Sequence, residues 1–76
     1  MTAKEIIAEK ARAYKAFYGI EAGYGQALKA IERNPQNPLA EMQKEIPWAA
    51  TAKYRCQLLE AMELVKEERS RVCNNK

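Results

Sequence analysis

The segment Asn34-Pro35-Gln36-Asn37-Pro38 divides the sequence into two long helix-forming parts. Proline disfavours helical backbone in the residue before it, and asparagine is a good helix cap. Asn37 can therefore cap a new helix that has Pro38 at its first position. We expect a turn over 34–37 and a short helix over 38–46, which ends because Pro47 follows.

One long helix is expected before this turn, over about residues 3–33. Thr2 and Glu5 have the spacing of a capping box at its start. Large apolar residues then recur every three or four positions, in one phase on both sides of the glycine-rich segment 19–25. These residues are Ile6, Phe17, Ile20, Tyr24, Leu28 and Ile31. The common phase favours a continuous helix, and three glycines leave a break in segment 19–25 as the alternative.

The second long helix is expected over about 48–72, followed by a disordered tail over 73–76. Leu58 and Leu59 lie on its apolar face, and Gln57 lies opposite. Trp48, which directly follows Pro47, is the first residue of this predicted helix. We expect its side chain to close the open end of a helical hairpin, and the alternative is that it anchors an interface.

These elements predict a single all-α domain over 1–76, an antiparallel helical hairpin with a short connecting helix. A chain of 76 residues buries only about 60% of the surface that its unfolded form exposes. Two amphipathic helices alone therefore make a thin core. A homodimer that closes a four-helix arrangement would complete this core, and we expect one.

The composition argues against catalysis. The chain contains no His and no Asp, so it lacks the usual general base and most metal-ligand sets. Cys56 and Cys73 would lie about 25 Å apart on one helix, too far for a disulfide, and we expect Cys56 to be an inert core thiol. We expect no enzymatic activity, no cofactor, no metal and no small-molecule substrate.

The N-terminal residues lack the apolar stretch of a signal peptide, and no apolar run approaches the length of a membrane span. A cytoplasmic location is expected, and no membrane partner. The net charge of +3 is mildly basic, well short of a polycationic nucleic-acid-binding protein.

Several residues are candidates for binding a protein partner. Tyrosines on the flank of an apolar face, small residues in a stripe and arginines on an apolar face are all typical of interfaces. The candidates are Tyr14, Tyr18, Gly19, Gly23, Tyr54, Arg55 and Arg69. The alternatives are boundary tyrosines of the monomer, glycines that mark a kink, and cations paired within the chain. Lys10, on the apolar face of the first helix, is expected to pair with a glutamate.

These features favour a non-catalytic helical protein–protein interaction module. It would be a small adaptor, regulator or inhibitor of the kind encoded by phages or mobile elements, by analogy alone. It would bind its macromolecular partner through a helical face.

The alternative is a dimeric, helix-turn-helix-like regulator that binds nucleic acid. On a continuous first helix, five cations form one stripe that could follow a phosphate backbone. They are Lys4, Arg12, Lys15, Lys29 and Arg33. A solvated charged face explains the same pattern, and the residues after Pro47 offer few hydrogen bonds to bases.

Overall fold

The computed structural model describes residues 2–74, with side chains through residue 70, and the fold is all-α. The described residues form four α-helices and a 3₁₀ turn over Ile46–Trp48. The helices are α1 (Ala3–Tyr18), α2 (Gly23–Arg33), α3 (Pro38–Glu45) and α4 (Ala52–Asn74). The second long helix, expected from residue 48, begins at Ala52 instead, because Trp48 belongs to the 3₁₀ turn and Thr51 Oγ1 accepts from the Tyr54 N–H at 3.1 Å at the start of α4. Residues 73–74 of the predicted tail belong to α4, and residues 75–76 lie outside the described residues.

The first predicted helix is two helices, so the prediction of one helix over 3–33 is wrong. Gly19 adopts a left-handed conformation with φ of 74°, and its N–H donates to the Lys15 carbonyl at 2.7 Å. This geometry ends α1, and glycine adopts it without the steric cost that a Cβ imposes. Ala22 is extended and precedes α2 at its N-cap position.

The break changes which residues of α1 are buried. Ile7 is fully buried, whereas Ile6 is half-buried. Phe17 is 86% exposed and Ile20 is 61% exposed, although the repeat placed both in the core. The inward face of α1 is therefore set by its own docking and does not continue the phase of α2.

α2 lies at the centre of the fold and contacts α1, α3 and α4. Its buried residues are mostly small, which lets the neighbouring helices approach closely: Gly23, Tyr24, Gly25, Ala27 and Ala30. A Cβ on Gly23 would lie 2.4 Å from the backbone nitrogen of Leu58. The close approach of backbones that a small-residue stripe permits thus occurs inside the chain, between α2 and α4.

α1 runs antiparallel to α4. Near the C-terminal end of α1, Tyr18 meets Lys53, and in its middle Lys10 pairs with Glu60 at 3.3 Å. The predicted pairing of Lys10 with a glutamate is therefore confirmed. The predicted capping box at Thr2 is also present, with the side chain of Glu5 near the Thr2 backbone nitrogen.

The face that α4 turns inward differs from the predicted one at three residues. Gln57 is buried, Leu59 is 44% exposed, and the Cys56 thiol is exposed rather than in the core. Docking against α2 and α1 rotates the buried face of α4 toward Gln57. The core then comprises Ile7, Tyr24, Ala27, Ala30, Met42, Leu58, Ala61, Met62 and Val65.

Gln57 makes an unusual core residue, and replacing it should stabilise the fold. In the described part of the chain, its buried Oε1 has no hydrogen-bond partner. An unsatisfied buried polar atom costs about 1–3 kcal/mol, so we expect Gln57→Met to raise the free energy of unfolding by about 1 kcal/mol. Urea denaturation measures this change. Gln43→Met, at an exposed glutamine of α3, is the matched control and should have no effect. A loss of stability in Gln57→Met would contradict the expected gain from removing an unsatisfied buried oxygen.

Candidate interaction surface

The C-terminal end of α1 carries a cluster of aromatic side chains. The rings of Tyr14 and Tyr18 have centroids 4.3 Å apart and an interplanar angle of 31°. The ring of Phe17 lies 6.4 Å from that of Tyr18, also tilted. Such tilted pairs are favourable arrangements of aromatic rings. One turn of helix therefore presents three aromatic rings.

A cation from α4 completes this cluster. Lys53 Nζ lies 3.8 Å from the ring centroid of Tyr18 and 5.6 Å from that of Tyr14, within the range of cation–π attraction. The pKa of Lys53 is raised, first by a hydrogen bond with Tyr18 and also by the field of Tyr14. We call Tyr14, Phe17, Tyr18, Ile20 and Lys53 the aromatic end. It joins the last turn of α1 to the first turn of α4.

Most of the aromatic end is exposed to solvent. Phe17 and Ile20 are 86% and 61% exposed, and Tyr18 is 55% exposed. Trp48, which is 79% exposed, precedes Lys53 by five residues, and the chain therefore keeps it within about 18 Å of Lys53. The expectation that Trp48 closes the hairpin is wrong, because the tryptophan points outward. Exposed apolar side chains that form one patch are typical of interaction sites, so the aromatic end is the candidate surface.

A buried tyrosine anchors the helices behind this surface. The Tyr24 hydroxyl donates to Glu60, and Lys10 Nζ lies 5.5 Å from the Tyr24 ring centroid as well as pairing with Glu60. Burial, then the hydrogen bond to Glu60, raises the pKa of Tyr24 to about 12. The pKa of Glu60 is lowered, first by the Tyr24 hydroxyl and then by Lys10. These three residues tie together α1, α2 and α4.

The raised pKa of Tyr24 predicts a loss of stability at alkaline pH. The neutral phenol favours the folded state, so its contribution is complete below pH 10 and is lost as pH rises from 10 to about 12. Two pKa units correspond to about 2–3 kcal/mol. Lysines also titrate in this range, so the measurement compares the free energy of unfolding of the wild type and Tyr24→Phe at each pH. The wild type should lose more stability. If the free energy of unfolding changed with pH in the same way in both proteins, the raised pKa of Tyr24 would be contradicted.

The remaining predicted partner-binding residues do not join the aromatic end. Gly23 is buried against α4, so its prediction as a partner contact is corrected to a packing role. Tyr54 is half-buried, and its pKa is raised, mainly by burial. Arg55 is exposed but lies roughly 160° around α4 from Lys53. Arg69 is also exposed, about 24 Å along α4 from Lys53. Of the predicted set, the structure brings together Tyr14, Tyr18 and Gly19.

The predicted basic stripe is divided by the helix break. Arg12, Lys15 and Lys29 line a groove between α1 and α2, together with Glu21 and Glu32. Lys29 pairs with Glu21 at 2.8 Å, and this pair lowers the pKa of Glu21. The acidic residues offset the cations of this groove.

The other two cations lie in two further grooves. Arg33 lines one of them with Lys29 and with Glu41, Lys44 and Glu45 of α3, and Lys4 lines a separate one near Arg69. The single stripe expected on a continuous helix is therefore not formed.

The described residues offer neither a membrane-spanning helix nor a metal site. Across residues 2–74, no helix combines the length and the apolar character needed to cross a membrane. Within the same range, no three His, Cys, Asp or Glu side chains are grouped so that they could hold a metal ion.

Sequence reasoning missed three residues of the aromatic end. Phe17 and Ile20 were placed in the apolar repeat of one continuous helix, and Lys53 was not among the candidate residues. The three glycines of segment 19–25 were the available signal for Phe17 and Ile20, since a break there uncouples the phases of the two halves. Lys53 carried no signal, because its contact with Tyr18 exists only after α1 docks on α4.

Comparison with known proteins gives no relative: no protein family, no curated protein and no solved structure matches this chain.

Proposed function

We propose that this chain is a non-catalytic protein–protein interaction module, a small adaptor, regulator or inhibitor of the kind encoded by phages or mobile elements. It binds its partner through the aromatic end. The observation that supports this function is the exposure of Phe17, at 86%, beside two tyrosines and a lysine. A monomer gains nothing from a phenylalanine in water, whereas phenylalanine and tyrosine are enriched in the buried centres of interfaces.

The chemistry of this surface describes its partner. Phe17 and Ile20 are side chains that an apolar pocket accepts, and the tyrosines add large contact areas with polar tips. The Lys53 ammonium, held over Tyr18, places a positive charge at the edge of the patch. The matching surface is therefore an apolar pocket with a carboxylate on its rim. The nucleic-acid alternative has weaker support, because Lys4 lies apart from the other four cations. Lys29, which connects the grooves that hold those four, is paired with Glu21.

The test compares proteins captured from an extract of the source cells by the immobilised wild type, Phe17→Asp and Leu59→Asp. Leu59 is the matched control, since it is an exposed apolar residue on α4 away from the aromatic end. A partner that uses the aromatic end is captured by the wild type and by Leu59→Asp and is lost with Phe17→Asp. Titration of the purified partner should then show at least a tenfold weaker Kd for Phe17→Asp, the scale of an interface hot spot.

Two results would overturn the proposal. Equal capture by all three proteins would place the binding site elsewhere on the molecule. A salt-sensitive shift on duplex DNA or RNA, lost with Lys15→Glu and kept with Phe17→Asp, would favour the nucleic-acid alternative.

A further inference from the structure

The segment between α1 and α2 has the properties of a hinge. Four residues, 19–22, separate the helices, and the sharp change of direction depends on the left-handed Gly19. No atom lies within 4 Å of the position that a Cβ on Gly19 would occupy. Space therefore does not require glycine here, and the positive φ is what favours it. The other three hinge residues, Ile20, Glu21 and Ala22, are compatible with a helix.

A straight hinge would place the exposed apolar residues before α2 on the same face as the apolar residues of α2. If residues 3–33 formed one helix, Phe17 and Ile20 would lie on the same side as Tyr24 and Ile31, because all four fall within about 60° at 100° per residue. In the bent chain, Phe17 and Ile20 are instead exposed. The same repeat that fails to describe the bent monomer thus describes a straight helix.

A straight helix would also separate α1 from its own α4. Gly23 meets Leu58, and Ile31 lies in a groove with Val65, so α2 runs parallel to α4. An N-terminal extension of α2 would pass along the first turn of α4 and project beyond it. Lys10 would then lie about 20 Å before Gly23 along the helix, out of reach of its partner Glu60.

We propose that this chain forms a domain-swapped dimer, in which Gly19 straightens and α1 of each copy packs on α2 and α4 of the other. Every contact that α1 makes in the monomer is remade across the two chains, including the burial of Ile7 and the opposite charges of Lys10 and Glu60. Exchange of an identical element is a low-cost route to a dimer for this reason. The second copy is thus the occupant of the site that α1 leaves.

This inference does not depend on the proposed function, since self-association needs no other protein. In the swapped dimer, however, Phe17 and Ile20 would lie on the same face of the straight helix as Tyr24 and Ile31, the face that packs on α4. The dimer would therefore withdraw part of the aromatic end from a partner.

The first experiment measures molecular mass by light scattering over a range of protein concentrations, with reducing agent. Gly19→Ala penalises the bent hinge alone, because alanine is disfavoured at positive φ and favoured in a helix. We expect it to tighten dimerisation at least about tenfold. Gly19→Asn is the matched control, since asparagine tolerates the left-handed conformation, and it should dimerise far less. Gly19→Ala that stays monomeric at every concentration would overturn the proposal.

The second experiment distinguishes a swapped dimer from two monomers in face-to-face contact. Lys10→Glu and Glu60→Lys each place like charges together within a monomer and within their own swapped dimer. In a mixed swapped dimer, both exchanged sites regain opposite charges. After refolding an equal mixture with one variant tagged, we expect the mixed dimer to exceed the statistical half.

Mixed dimer at the statistical half would contradict the swap, because a face-to-face dimer leaves each charge pair within its own chain. The mixing is done with Gly19→Ala in both chains. If that substitution prevents folding, Gly19 is kept and the protein concentration is raised instead.

Discussion

Gly23→Ala is expected to lower the free energy of unfolding by about 3 kcal/mol or more, at the upper end of the cost of overpacking. The new Cβ would lie 2.4 Å from the nitrogen and 2.8 Å from the Cα of Leu58, and 2.9 Å from the carbonyl carbon of Gln57. All three are backbone atoms of α4, so no side chain can rotate away. α2 would have to move off α4, and the core between them would open. Urea denaturation followed by circular dichroism measures the loss.

Gly25→Ala is the matched control, the same chemical change two residues along α2. Its Cβ would lie 3.3 Å from the Cβ of Glu21, and a shift of a few tenths of an ångström in the short segment between α1 and α2 relieves that contact. Alanine also favours a helix over glycine by about 1 kcal/mol. We therefore expect Gly25→Ala to stay within about 1 kcal/mol of the wild type. Equal effects of the two substitutions would contradict the contact between α2 and α4 at Gly23.

Ile7→Ala is expected to cost about 3 kcal/mol, because Ile7 is the large α1 side chain that is fully buried in the core. Ile6→Ala removes the same atoms from the adjacent, half-buried position and should cost about 1 kcal/mol. The two variants have the same composition, so the difference in their stability shows which face of α1 is buried. A larger loss in Ile6→Ala would restore the phase expected for a continuous helix and contradict the docking of α1 described above.

The local signals in the sequence predicted where α1 and α3 begin, but not the break after Tyr18 or the start of α4 at Ala52. Thr2 caps α1 through the predicted box, and Asn37 precedes α3 at the N-cap position with Pro38 first in the helix, although the Asn37 side chain makes no capping hydrogen bond. These features depend on a few neighbouring residues and on fixed backbone preferences. The all-α class follows from the same kind of evidence. Dimerisation remains a prediction.

The apolar repeat over residues 3–33 was misleading because it describes packing along one straight helix, whereas the chain bends at Gly19. Phe17 and Ile20 are in phase with Tyr24, which favours a continuous helix. The bent chain instead buries Ile7 and packs α1 beside α2, an arrangement that requires Gly19 to leave the helical region. The spacing of apolar residues along one helix gives no information on the stability gained when α1 packs beside α2. The repeat is also what a straightened hinge would use.

The rotation of α4 could not be predicted for a related reason. Its apolar stripe is broad, and Gln57 and Leu59 lie on opposite margins of it. Gly23 determines which margin is buried, because it allows the backbone of α2 to pack directly against the backbone of Gln57 and Leu58. Leu59 then remains partly exposed while the glutamine is buried. Only the docking partner of a helix determines which margin faces inward.

The candidate site was predicted in part. Tyr14 and Tyr18 were identified from their position on the flank of an apolar face, and they do form a ring pair. The cation over them comes from Lys53, distant in sequence, so no local pattern could reveal it. The exposure of Phe17 follows from the break at Gly19. The aromatic end is thus a product of tertiary structure, built from residues whose local patterns indicated other roles.

The most direct test of this account is the free energy of unfolding of Phe17→Asp, measured by urea denaturation at a concentration where the chain is monomeric. Ile7→Asp, the same kind of change at the buried position of α1, is the control and should prevent folding or cost several kcal/mol. If α1 ends at Gly19 and presents Phe17 to solvent, Phe17→Asp stays within about 0.5 kcal/mol of the wild type. A loss of about 3 kcal/mol or more, typical of a buried phenylalanine, would contradict the exposed aromatic end.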